Sequence, residues 1–331
     1  MCACGVLWVG IEAALYYAIV FFVVTMYLSV AGDKNEGLED KSNAVKSVAT
    51  FLCTMSAFIV GLFTNFNISR WWNIRTEGIG QIWGATCQLS FLLNTYVKSY
   101  GGGVAEQDKR LIHNVVRYGR ASLACIFSSR SEGRFDDLVD RRLLTAKEHD
   151  ILREEVEYRV PCCIWAWVTA IIAHFDQQKK LPGPPIVNTL YATAARGRDG
   201  AAVILRAITC PLPLAYVHMI STIVKINNIL IAIAFGFKIT LNMHTRRLHW
   251  VLMVINLGVV FVIPFVYNGI LAISQELSDP FGDDFNDFPG RYYDATIHKE
   301  CQACKVVVEK FSEVFEEDTQ PEEFPALVKA K

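Results

Sequence analysis

The sequence has no excess of basic residues: 32 lysines and arginines against 33 acidic residues leave a formal net charge of −1. That excludes a basic nucleic-acid binder as the default reading. Charge of either sign is scarce, at 20% of the 331 residues, while 52% are hydrophobic, an apolar composition for a soluble protein of this size. A mean hydropathy of +0.28 is still too low for a bundle lying wholly in lipid, so membrane spans attached to a substantial aqueous portion are expected. Cysteine occurs at ten positions but in no disulfide framework: Cys53, Cys87 and Cys125 sit in apolar or helical runs, and Cys162 and Cys163 are adjacent. Cys301-Gln-Ala-Cys304 lacks a second CxxC or histidines at zinc spacing, which makes two reduced thiols on a tail the plainer reading and a metal or redox role the minority one. A secretory signal pattern is absent from the first apolar run. No internal repeat is evident, which counts against an inverted-repeat transporter.

What the chain does have is long apolar runs. Val6 to Val30 is broken only by Glu12 and exceeds the ~20 residues needed to cross a bilayer core, which makes it a first span. Glu12 either faces water near the start of that span or lines a pathway, as intramembrane ionisable groups often do. Residues 31 to 47 read as a solvated loop. Val48 to Ile68 forms a second span that stops at Ser69-Arg70-Trp71-Trp72, and an arginine with paired tryptophans marks a membrane–water boundary. Ile82 to Tyr100 fits a buried helix better than a third span. Lys109 to Ser128, Phe135 to Glu157 and Pro161 to Phe175 read as amphipathic or buried helices, and Lys179 to Pro185 is a breaker. Leu214 to Ile239 and His249 to Ile273 are again long enough to span. Lys225, Asn227 and Asn228 give the first of these an inward face, and Pro264 in the second is tolerable where neighbours satisfy the freed carbonyl. The connection between them carries Arg246 and Arg247, which the positive-inside rule would place in the cytosol. The bulk of the polar middle region argues the other way and puts these arginines outside, where they would concentrate anions. An amphipathic run continues to about Val314, and the acidic end beyond it reads as a mobile tail.

Two stretches carry candidate chemistry. In the second span Thr54, Phe58 and Leu62 recur at i, i+4, i+8 and share one helical stripe. Such a stripe serves ordinary packing or lipid contact, or else it lines a pore, where apolar side chains gate by dewetting and an edge-on Phe58 ring favours anions. The second stretch runs from Asp279 to Phe288 and gathers carboxylates where the last apolar segment gives way to water. Closely spaced oxygens suit Ca²⁺, which takes ~6–8 of them. A rival reading makes Asp279, Asp283, Asp284 and Asp287 the Mg²⁺ ligands of a membrane phosphotransferase, and it lacks a persuasive basic or glycine-rich phosphate-binding partner nearby.

Several motifs, in order, resemble those of the bestrophin family over nearly the full length. They are Gly61 with Ser69-Arg70-Trp71-Trp72, Arg117-Tyr118, Leu143-Leu-Thr-Ala-Lys-Glu-His149, Val160-Pro161 followed by Trp165, Pro213-Leu214-Ala-Tyr216, and Pro280-Phe281-Gly282 with its acidic run. The resemblance implies an all-α membrane protein with four membrane helices and a large helical cytosolic region per chain, assembled as a homopentamer around one axial pore. Residues 1–77 and 211–278 would hold the membrane helices, 78–210 the cytosolic helices, and 279–331 a calcium clasp and tail. The implied function is a calcium-regulated channel for chloride, with bicarbonate as a further permeant and no covalent chemistry. A secondary anion transporter is the nearest alternative. The family's pore neck falls on Thr54, Phe58 and Leu62, where the threonine hydroxyl and the missing ring at Leu62 predict a wetter neck. A second, cytosolic aperture falls on Pro185 or Ile186. The Ca²⁺ ligands fall on the side chains of Asp284 and Asp287 and the backbone oxygens of Glu276 and Asp279, in a run that Phe285 and Asn286 interrupt. The host membrane would be the plasma membrane or an organelle membrane such as the thylakoid.

Overall fold

The computed structural model describes residues 3–30, 38–100, 104–128, 136–154, 159–210, 212–244, 250–282 and 286–310. These residues are helical, with no strand among them, and they divide into two compact units. The first comprises Met1–Trp71 and Cys210–Pro280, and the second Trp72–Thr209 and Phe281–Lys331.

The first unit is built from α1 (Ala3–Val30), α2 (Leu38–Asn73, which runs two residues into the second unit), α9 (Leu214–His244) and α10 (Trp250–Glu276). By length and composition the described parts of α2, α9 and α10 can each cross a membrane, and α1 contributes the apolar stretch Ile11–Met26. Lipid tails offer no hydrophobic drive for helices to associate, so close packing and polar contacts must hold such a bundle. Both are present. Tyr16, Val20 and Val24 of α1 pack with Ala232 and Ile239 of α9 and Val260 of α10. A second cluster joins Val60 and Phe63 of α2 to Ile220 and Val224 of α9 and Tyr267 of α10. Arg246 and Arg247 lie outside the described residues.

The second unit contains α3 (Gly80–Tyr100), α4 (Glu106–Ser128), α5 (Asp136–Asp140), α6 (Ala146–Glu154), α7 (Val160–Gln177), α8 (Pro184–Thr209) and α11 (Gly290–Glu309). A single π-helical turn, Ile74–Ile79, joins α2 to α3. The stretch read as a buried helix is one: Ile82, Ala85, Leu89, Leu93 and Val97 of α3 are all fully buried against α4, α8 and α11. Each large aliphatic side chain so buried contributes ~1.5–3 kcal/mol. Gly200 of α8 allows an approach that no side chain would, because a Cβ there would lie 2.7 Å from the Gly78 carbonyl oxygen. The breaker behaves as such, with Gly183 at φ +128° and the Pro184-Pro185 pair opening α8, where a proline's missing N–H costs nothing.

The structure corrects two expectations. Phe135 to Glu157 is not one helix: α5 ends at Asp140, Arg142 takes a left-handed φ of +56°, and α6 restarts at Ala146. The restart is a capping box, in which the Glu148 N–H donates to Thr145 Oγ1 (3.3 Å) and the Thr145 N–H donates to Glu148 Oε2 (2.8 Å). Cys301 and Cys304 are not on a tail either. They lie on α11, which packs on α3 and α4, and Cys301 is buried. The acidic C-terminal stretch read as a tail falls outside the described residues.

Candidate functional site

The two faces of α2 differ in kind. Ala49, Ser56, Val60, Phe63 and Asn67 are buried within the first unit, while Phe51, Met55, Phe58, Leu62 and Phe66 are exposed large apolar groups on the other side. The predicted stripe is on the exposed side: Phe58 is 68% and Leu62 43% exposed, and Thr54 is exposed with its hydroxyl donating to the Thr50 carbonyl at 3.0 Å. That last bond turns the threonine oxygen back onto its own helix, so the stripe presents more methyl than hydroxyl. Pro185 and Ile186 sit in the first turn of α8, Pro185 exposed and Ile186 half-buried, with the Ile186 N–H donating to the Gly183 carbonyl at 3.2 Å.

Of the predicted Ca²⁺ ligands, Glu276 is the last residue of α10, and Asp279 follows after a closing turn in which Leu277 and Ser278 donate back to Ile273 and Gln275. Both side chains are exposed. The C-terminal end of a helix dipole is negative and favours a cation, which fits the chemistry of this donor set. Asp284 and Asp283 lie outside the described residues. Asp287 is half-buried, and its Oδ2 stands 2.8 Å from where a side chain at Gly282 would begin. Among the described residues no three His, Cys, Asp or Glu side chains converge. At the end of the second span, Arg70 interacts electrostatically with Asp279.

Aromatic residues bracket the acidic run. Phe281 and Phe288 are both buried, their ring centroids lie 5.8 Å apart, and Phe281 meets Phe127 of α4 at 5.2 Å edge-on. Phe288 continues the cluster to Tyr293 of α11 at 6.4 Å. Tyr293 in turn receives the Arg75 guanidinium of the π turn, 4.9 Å from its ring centre, a cation–π contact. The chain leaving the second span is thereby tied to the helix that follows the acidic run. Sequence reasoning missed this latch, although the two phenylalanines flanking a polar, acidic stretch were a visible cue.

Three ionic groups complete the picture. In the first unit Lys225 of α9 donates to the Glu12 carboxylate of α1 and to Asn268 Oδ1 of α10 (3.4 Å), and Asn268 Nδ2 also donates to Glu12. The intramembrane charges flagged separately in the sequence therefore compensate one another across three helices. In the second unit Arg117 makes a bidentate pair with Glu148 (both 2.7 Å) and donates to the Leu143 carbonyl (2.9 Å), while the Tyr118 hydroxyl donates to Glu148 at 2.6 Å. Burial alone would raise the Glu148 carboxyl, but the hydrogen bonds from Arg117, Tyr118 and the Thr145 N–H outweigh it and hold the group at about 2. Asp294 of α11 similarly bridges Arg120 (2.7 Å) and Arg141 (3.0 Å), fastening α11 to the body of its unit.

Fold and composition together define an all-helical integral membrane protein with a substantial helical portion beyond its spans. A family model described as "Bestrophin, RFP-TM, chloride channel" matches residues 5–310. The chain belongs to the bestrophin family. It is 27% identical over 243 residues to bestrophin homolog 22 of Caenorhabditis elegans, covering 71% of this chain and 46% of that protein. Bestrophin homolog 5 of the same organism is 23% identical over 246 residues, covering 70% and 50%. The chain thus spans about half the length of the curated relatives it matches. A crystal structure of a bacterial bestrophin homolog from Klebsiella pneumoniae shares the fold at a TM-score of 0.67 and 17% identity, covering 89% of this chain and 98% of that one.

Proposed function

We propose that this chain is a calcium-regulated anion channel, a homopentamer conducting chloride and bicarbonate through a hydrophobic neck formed by Thr54, Phe58 and Leu62. The observation that carries the reading is the exposed apolar face of α2, with Phe58 68% exposed at its centre while the opposite face is packed. Around a symmetry axis one such stripe becomes a ring, narrow enough to gate by dewetting and lined by aromatic edges that favour anions over cations. Pro185 or Ile186, at the start of α8, forms the second, cytosolic constriction.

Glu276, Asp279, Asp284 and Asp287 would hold Ca²⁺, which would supply the positive charge called for by a helix C-terminus and a carboxylate-rich run. One contact joins Asp279 of that run to the neck helix, and another lies within the second unit. Arg70, at the end of the span, answers to Asp279, and Arg75, one turn further, stacks on Tyr293 beyond the Phe281–Phe288 latch. A change at the acidic run therefore reaches α2 through its own C-terminal end, biasing the neck between closed and dilated states. Purified protein in planar bilayers, with calcium titrated under a chloride-to-bicarbonate gradient, tests the proposal. Unitary anion currents that rise with calcium are expected, whereas transport that saturates without unitary events would assign the chain to the secondary transporters.

A further inference from the structure

The two cysteines of α3 and α11 stand in a relation that the channel reading does not use. Cys87 and Cys301 are 214 positions apart in sequence, yet their sulfurs lie 3.8 Å from each other inside the second unit. A disulfide needs ~2.05 Å between sulfurs, so closure requires the two side chains to turn toward each other. The surroundings are polar and charged: Cys87 Sγ lies 3.4 Å from Glu300 Oε2, which also accepts from Trp83 Nε1 at 2.5 Å. Cys301 is buried from bulk water but lines a cavity of about 60 Å³ together with Lys109, His113, His298, Lys305 and Ser90. A water-sized molecule needs only ~10–15 Å³ of such space, so this one admits a small oxidant. The Cys301 thiol is also lowered from its ordinary value, chiefly by the hydrogen bond with Cys87, against the opposing effect of burial and with help from Ser90 and Arg120.

We propose that Cys87 and Cys301 form a peroxide-responsive thiol pair, with Cys301 the sulfur attacked from the cavity and Cys87 the resolving thiol. In the first step the Cys301 thiolate attacks a peroxide oxygen, the O–O bond breaks, and a sulfenic acid forms with release of water once the leaving oxygen is protonated. In the second step the Cys87 sulfur displaces that hydroxyl, which leaves as a second water, and the S–S bond closes. Two thiols are oxidised to one disulfide while hydrogen peroxide is reduced to two waters, and a dithiol reductant reverses the step. The product fastens α11, the helix following the acidic run, covalently to α3.

The test treats the purified full-length chain with hydrogen peroxide, blocks free thiols, digests without reduction and maps the cysteines by mass spectrometry. The expected result is a Cys87–Cys301 linked peptide that disappears on reduction with dithiothreitol and persists in Cys304→Ser. Cys87→Ser should instead leave Cys301 as a sulfenic acid trapped by a dimedone probe. The wild-type map needs no variant to fold. Cys301 still fully alkylatable after peroxide, or linked to Cys304 in place of Cys87, would overturn the proposal.

Discussion

Glu148 shows how much one side chain decides here. It accepts from Arg117, Tyr118 and its own capping partner, and it joins α4 to the turn between α5 and α6. Glu148→Gln should cost on the order of 2–3 kcal/mol, because charged hydrogen bonds are lost and Arg117, with its side chain only 11% exposed, keeps a charge without its counterpart. The sign of the pH dependence follows from the depressed carboxyl. Its stabilisation is complete above the ordinary glutamate value of ~4.3 and is lost as pH falls toward about 2. Thermal unfolding between those limits should steepen for the wild type and flatten for the glutamine variant. Half of this arrangement carries a local signal that reading the stretch as one helix leaves unused. Thr145 and Glu148 have the spacing of a capping box, a local signal, whereas the partnership of Arg117 with Glu148 joins separate elements and needed the fold to bring them together.

At the scale of elements, the long apolar helices could be read directly, because a membrane span announces itself by length alone. The pairings between them could not. Glu12 and Lys225 were each visible as charges in apolar runs, but nothing local shows that they meet. Lys225→Met alone should lower the thermal stability of the detergent-purified protein, since it leaves Glu12 uncompensated among membrane helices. The double variant Glu12→Gln with Lys225→Met should recover most of that loss. If the double variant is no more stable than the single one, the pair is not a coupled unit. The aromatic latch makes a different prediction. Phe288→Ala should shift the calcium concentration needed for half-maximal current while leaving the open-channel conductance unchanged, because Phe288 packs on Phe281 and on Tyr293 of α11 and is not a residue of the neck stripe. A changed unitary conductance would remove the latch from the regulatory path.

At the scale of the whole molecule, the apolar face of α2 is the feature a single chain leaves unfinished. The family accounts for a membrane-embedded helical fold, and the ordered motifs from Gly61 to Gly282 announced it. The predicted pore stripe has a periodicity that also suits packing or lipid contact, and the structure places its opposite face in the core of the first unit. A homopentamer predicts that detergent-solubilised protein, analysed by light scattering with the detergent contribution subtracted, has five times the chain mass of 37.2 kDa. The central claim, that Phe58 is the gate of an anion pore, is tested most directly by single-channel chloride recording of Phe58→Ala in planar bilayers across a calcium titration. The account predicts larger current that persists when calcium is withdrawn; current and calcium response equal to those of the wild type would contradict it.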